Sequence, residues 1–376
     1  MRAVVTCIVA ILALGLGYDP ALAQAGGGPA LKSIHMIDSL TGWAVTDQPA
    51  ASALLRTTDG GAQWKDVTPL TRSGQQIVVG HISVLTSSIA WVSRKMGPSA
   101  GTTQVFRTVD SGRTWRNEAI MTHDVSSIHF INLHSGWLLS EEEAHMGREA
   151  VGIYRSIDSG ETWVKISGTS QEDESSGLPY DGDKEGIVFL NPTTGWITGI
   201  VLGSDWLYLY VTHDGGLTWR DQSIPLPPQL KPHWRTATLP PAFFTTQDGV
   251  LPVSYSIKDE SYKDVAGGVV FFITHDGGTT WAYTTPVSIT LGNGFSTSFA
   301  DIDHGWVMDG TALYATSDGG RQWKKIAPGP PFTDVNQLDF VSPYVGWAVT
   351  EVPPFLLKTV NGGHTWAAVV YTVSRQ

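Results

Sequence analysis

Cysteine is all but missing from this chain. The single one, Cys7, sits inside an apolar stretch at the amino terminus. Disulfides, thiolate metal sites and a cysteine nucleophile are thereby excluded from everything that follows that stretch. Charge is scarce too: charged side chains are 16% of the 376 residues, and acids outnumber Lys and Arg 35 to 24, a net of −11. Nucleic acids and anionic membrane surfaces require a basic face, so neither is expected as a partner. Helical periodicity is absent, and beyond the first residues no apolar run reaches the ~20 residues a membrane span needs. The first stretch has Arg2, then Val4 to Gly17, then Ala21-Leu22-Ala23 before Gln24. It reads as an export signal over residues 1–23, which leaves 24–376 as one exported domain, periplasmic or extracellular.

What the chain has in plenty is repetition. A box of the form [Thr/Ser]-x-[Asp/Asn]-x-Gly-x-[Thr/Gln]-Trp begins at Thr57, Thr108, Ser156, Thr212, Thr274, Thr316 and Thr359. Its acids are Asp59, Asp110, Asp158, Asp214, Asp276 and Asp318, with Asn361 in the last copy, at successive spacings of 51, 48, 56, 62, 42 and 43 residues. A second element precedes the box: Gly42-Trp43, Ala90-Trp91, Gly136-Trp137, Gly195-Trp196, Gly305-Trp306 and Gly346-Trp347, reduced in the fifth repeat to Asp248-Gly249-Val250. Short alternating apolar segments flank both elements. Four β-rich segments per repeat at this period predict an all-β, seven-bladed β-propeller of four-stranded antiparallel blades, with the box in each C–D hairpin.

An acid that recurs in every repeat does a job every repeat needs. The carboxylate is expected to accept hydrogen bonds from its own turn, and a glycine such as Gly277 to supply positive φ. The tryptophan covers the hairpin, and Asn361 substitutes because its side-chain oxygen accepts the same bonds. Arg56, Arg107, Arg155 and Lys358, each just before a box, are read as outer-strand charges whose stems cover apolar surface. No catalytic residue, metal site or cofactor is expected among these positions.

The paired elements resemble the Asp-box, or bacterial neuraminidase, repeat. The longer unit is most similar to repeats of the photosystem II stability/assembly factor family, over about residues 31–373. That resemblance implies a binding or assembly scaffold without catalysis. More distant likeness extends to sialidases, xyloglucanases and sortilin-type receptors, and the sialidase-like part of it implies a glycoside hydrolase as the alternative. The sialidase Arg-Ile-Pro segment is absent from the sequence.

In a four-strand meander the A–B and C–D turns share one end of the sheet, and the B–C and D–A connections share the other. The irregular insertions, at 94–103, 140–150, 168–185, 223–241 and 256–267, all fall opposite the boxes, where binding by a protein or carbohydrate ligand is expected. Of fifteen tryptophans only Trp206 and Trp234 belong to neither repeated element. Both are assigned to the fourth repeat, Trp206 after its B–C turn and Trp234 in its D–A loop. With Asp205, His233, Arg235 and Tyr262 they form the candidate binding platform. The acidic runs Glu141-Glu142-Glu143 and Glu172-Asp173-Glu174 are read as solvated loop charge. The ring is expected to close without exchange of strands, each end keeping its own repeat.

Overall fold

The computed structural model describes residues 28–46, 52–94, 102–120, 124–145, 147–201, 206–228, 234–259, 261, 264–289, 295–309, 312–326, 335–351 and 354–375. The expected export signal lies outside them. These residues form an all-β protein of 31 strands in six sheets, most of them four-stranded and antiparallel. One sheet has ten strands because Ile200 and Val201 of the fourth repeat pair with Ala237 and Thr236, which joins two repeats into one ladder.

Each box is a closed hydrogen-bonded corner. In the first, the Thr57 hydroxyl donates to Asp59 Oδ1 at 2.9 Å, Gly61 N–H donates to the Thr57 hydroxyl at 3.0 Å, and Gln63 N–H donates to Asp59 Oδ1 at 2.9 Å. The same bonds recur at Asp110, Asp158, Asp214, Asp276 and Asp318. Asn361 reproduces them with its amide oxygen. Burial opposes ionisation of Asp214, yet donation by Thr218, Thr212 and Leu217 brings its pKa down to about 2. Gly277 does take positive φ, 71°, and serines hold the same place with φ of 68° at Ser111 and 72° at Ser159. The box acids are struts.

The Gly-Trp element proves to be an inter-sheet clamp. Trp91, Trp137 and Trp306 stack on Phe130, Phe189 and Phe340 of the following repeat, at 3.6, 3.7 and 3.6 Å between centroids. The box tryptophan of that repeat meets the same phenylalanine edge-on, as Trp366 meets Phe340. Stacking of this kind adds roughly 0.5–1.5 kcal/mol to the burial itself. Their indole N–H groups donate onward to box carbonyls: Trp91 to Ser159, Trp137 to Gly215, Trp306 to Gly362. Arg56, Arg155 and Lys358 place their cations 5.9, 5.3 and 4.7 Å from the rings of the cross-strand partners Trp43, Trp137 and Trp347. They lie on third strands, not outermost ones, and cover tryptophan faces.

The glycine of Gly-Trp follows from the same packing. A Cβ on Gly346 would stand 2.5 Å from the Phe340 ring, and Gly195 and Gly305 meet Phe189 and Phe299 at the same distance. The second repeat has Ala90, and there the facing residue is Val84, not phenylalanine. Gly346→Ala should therefore destabilise by about 2 kcal/mol, because Phe340 is held between Trp306 and Trp366 and cannot yield. Adding Phe340→Val should recover part of that loss, as Ala90 with Val84 already does. Urea unfolding of both single variants and the double variant checks this; simple additivity would contradict it.

Apolar clusters join successive sheets, and one joins Leu31, Met36 and Trp64 to Trp347, Leu356 and Tyr371, so the last repeat packs on the first. Closure uses strand exchange, contrary to the expectation. Thr372–Ser374 leaves the seventh repeat and pairs in parallel with Gln63–Asp66 of the first. The seventh repeat retains only Ala367–Ala368 as its own outer strand. On the inner wall, Gln337 exchanges two 2.8 Å bonds with the Ile34 backbone, and Met36 N–H donates to Asp339 at 2.6 Å. Innermost strands are edges with unpaired N–H groups, and side chains from the preceding repeat satisfy them.

Candidate functional site

The box corners and the turns before Gly-Trp share one face, since Gly60 N–H donates to Leu40 O and Gly362 N–H to Tyr344 O. The opposite rim is less irregular than expected. Gly136–His145 pairs with Arg148–Ser156, and Gly249–Lys258 with Asp264–Thr274, as two long hairpins that take in most of the 140–150 and 256–267 insertions. Paired strands, not loops, carry these insertions. The run Glu141-Glu142-Glu143 is accordingly part of a ladder: Glu142 bonds Lys165 at 2.5 Å, and burial with the charges of Asp124 and Glu185 raises the Glu141 pKa. A cavity of about 420 Å³ opens beside Glu142 and Lys165, lined also by Ser167, Thr169 and Asp173.

Trp206 lies on this rim with 37% of its surface exposed. Its ring rests on two tyrosines, at 6.0 Å from Tyr208 and 6.5 Å from Tyr210, both of them buried. Beneath them is the buried Lys184, whose ammonium stands 5.5 Å from the Tyr208 ring. Its three protons are matched by three backbone carbonyls: Glu149 at 2.8 Å, Tyr180 at 3.0 Å and Gly182 at 2.8 Å. The Lys184 N–H donates to the Glu149 carboxylate at 2.6 Å. Burial lowers the lysine pKa and raises that of Glu149, each loss of hydration partly offset by the other's charge. This pair fastens the 180–184 segment to the neighbouring hairpin and gives Trp206 a firm support. Sequence reasoning missed it, because Lys184 follows Asp181-Gly182-Asp183 and looks like surface charge.

The other platform residues are placed less completely. Asp205, His233 and Tyr262 lie outside the described residues, as do the side chains of Trp234 and Arg235. The expected loop position of Trp234 in the fourth repeat is corrected. Its backbone instead opens the strand Trp234–Thr238, paired with Ile257 of the fifth repeat's extended hairpin. That strand also pairs Thr236 with Val201, five residues before Trp206. The two tryptophans thus sit on segments that the sheet brings together, though in different repeats. Asp181 bonds Arg148 at 2.7 Å in an exposed pair of small energetic weight. Among the described residues no helix is long and apolar enough to cross a membrane, and no three His, Cys, Asp or Glu side chains are grouped to hold a metal ion.

No protein-family model matches the chain. Among curated proteins, a xyloglucanase of Hypocrea jecorina is 29% identical over 209 residues, which is 48% of this chain and 23% of that protein. Xyloglucanase Xgh74A of Acetivibrio thermocellus is 25% identical over 255 residues, 54% of this chain and 28% of that one. The chain therefore spans about a quarter of the length of these curated relatives. Among solved structures, the GH74 xyloglucanase of Xanthomonas campestris has 15% identity and a TM-score of 0.62, covering 92% of this chain and 55% of its own. YCF48 bound to D1 peptide has 16% identity and a TM-score of 0.57, covering 90% and 94%. The shared fold is a β-propeller.

Proposed function

We propose that residues 24–376 form a single, exported, seven-bladed β-propeller that acts as a non-catalytic scaffold and captures a protein or glycan partner on the rim opposite the box corners. The observation that carries the reading is Trp206, a half-exposed aromatic plate laid over buried Tyr208 and Tyr210 and braced by Lys184. Rigid aromatic anchors of this kind dominate binding surfaces because they offer area at little entropic cost. The comparison with YCF48 favours the same reading: that chain matches almost end to end and is bound to a peptide. Each box acid accepts bonds from its own turn through Oδ1, which favours a hairpin-holding part over a catalytic one.

The test is capture on a glycan array and a peptide array. Trp206→Ala with Trp234→Ala should lose at least about tenfold in affinity, equivalent to roughly 1.4 kcal/mol, while melting unchanged. Equal capture by the double variant would remove the reading. A second reading, glycoside hydrolysis, is favoured by the stretch 29% identical to a xyloglucanase. Robust turnover of xyloglucan or of fluorogenic glycosides by the purified protein would put that reading first.

A further inference from the structure

The box face also carries a cavity. A groove of about 620 Å³ lies between the sixth and seventh box corners, a volume that suits a small-molecule site. Its lining departs from the repeat at two places. At Asp110, Asp158, Asp214 and Asp276 the second carboxylate oxygen accepts a threonine hydroxyl at 2.6 Å. In the sixth box Gln322 replaces that threonine, so no threonine hydroxyl reaches Asp318 Oδ2, although the Arg321 N–H and its charge also act on this carboxylate. The second departure is Tyr344. The carbonyl at its position ties each turn to its box, and the equivalent residues are Leu40, Ser88, His134, Thr193, Gln247 and Asp303. The backbone does the structural work there, so the fold does not require a phenol. Tyr344 is 68% exposed.

We propose that this groove binds a neutral sugar ring, the terminal or internal pyranose of an oligosaccharide. The exposed Tyr344 face suits the apolar C–H face of a pyranose. Asp318, Gln322 and His364 line the same groove, with His304, whose Nδ1 is engaged by Asp301 at 2.9 Å. Vicinal hydroxyls both donate and accept, which these groups require. An apolar peptide side chain would leave the Asp318 oxygen desolvated and unpaired, a penalty a sugar avoids. Asp59 also lacks the threonine, since Gln63 replaces it, but the turn residue of the repeat that follows is Ser88. The exposed aromatic and the carboxylate that lacks a threonine hydroxyl coincide at the sixth–seventh seam.

The probes are cellohexaose, xylohexaose, mannohexaose and maltohexaose, followed by saturation-transfer NMR and calorimetry. At least one should bind at a single site, and Tyr344→Ala should weaken it by about tenfold or more. Asp318→Asn should weaken it by about fivefold while keeping the corner, because Asn361 already holds the same corner in the seventh repeat. Val265→Ala, an exposed position on the hairpin of the opposite rim, should leave sugar binding unchanged, which assigns the loss in Tyr344→Ala to the box face. Failure of all four sugars at about ten millimolar, equal binding by Tyr344→Ala, or retention of peptides instead of sugars would each overturn it.

Discussion

A chain ending at Val370 is expected to lose about 4 kcal/mol of stability, a melting point lower by about 5 °C for a protein of this size. The loss has two sources. Tyr371 is buried, with 4% of its surface exposed, packed against Gly28, and its hydroxyl donates to Pro29 O at 2.5 Å. Removing a buried aromatic ring of this size typically costs about 3–5 kcal/mol. Beyond it, Thr372–Ser374 completes the outer edge of the first sheet, with Thr372 N–H donating to Ala62 O at 3.2 Å. Without that strand the Gln63–Asp66 edge is open to solvent and to other chains. Tyr371→Phe keeps the ring and the strand and should lose only about 1 kcal/mol. Urea unfolding followed by tryptophan fluorescence distinguishes the two. A truncated chain within about 1 kcal/mol of the parent would mean that the outer strand contributes nothing to closure.

That outer strand is one of three radial levels at which the last repeat holds the first. The middle level is the indole clamp from Trp347 to Gly60 O at 3.0 Å, together with Lys358, whose ammonium donates to Ser39 O at 3.2 Å. The inner level is Gln337 and Asp339 against Ile34 and Met36. The middle level was open to sequence reasoning because it uses the same Gly-Trp and box residues as the seams at Trp91, Trp137 and Trp306. The outer level was not. Thr372, Val373 and Ser374 read as a normal last strand, and nothing local says which neighbour they pair with. The same limit explains the rim. Trp206 stands out because repetition accounts for the other tryptophans, leaving it and Trp234 over. Trp234 escapes correct placement because the proline-rich stretch before it reads as loop, whereas its strand is stabilised by pairing with residues 253–257. The Gly-to-Phe contact could be read only in three dimensions, although the exchange of both residues at Val84 and Ala90 leaves its trace in the sequence.

The inner level of closure supplies a pH dependence with a definite sign. Burial pushes the Asp339 carboxyl up to about 7, against an ordinary value of 3.8, and the hydrogen bond from Met36 N–H only partly offsets it. A raised acid pKa means that folding favours the protonated form. The stability it contributes is complete below about pH 4, declines as pH rises toward 7, and is fully lost above that. A rise of this size is equivalent to about 4 kcal/mol. Asp339 keeps some solvent exposure on the inner wall, and screening there brings the effect down to roughly 2–3 kcal/mol. Asp339→Asn removes the charge and keeps an oxygen for Met36 N–H. The variant should therefore exceed the parent by roughly 2–3 kcal/mol at pH 8 and match it at pH 4. Paired urea titrations at the two pH values measure this difference. An equal gain at both would assign the effect to packing, and a loss at pH 8 would show that the ionised carboxylate strengthens the seam.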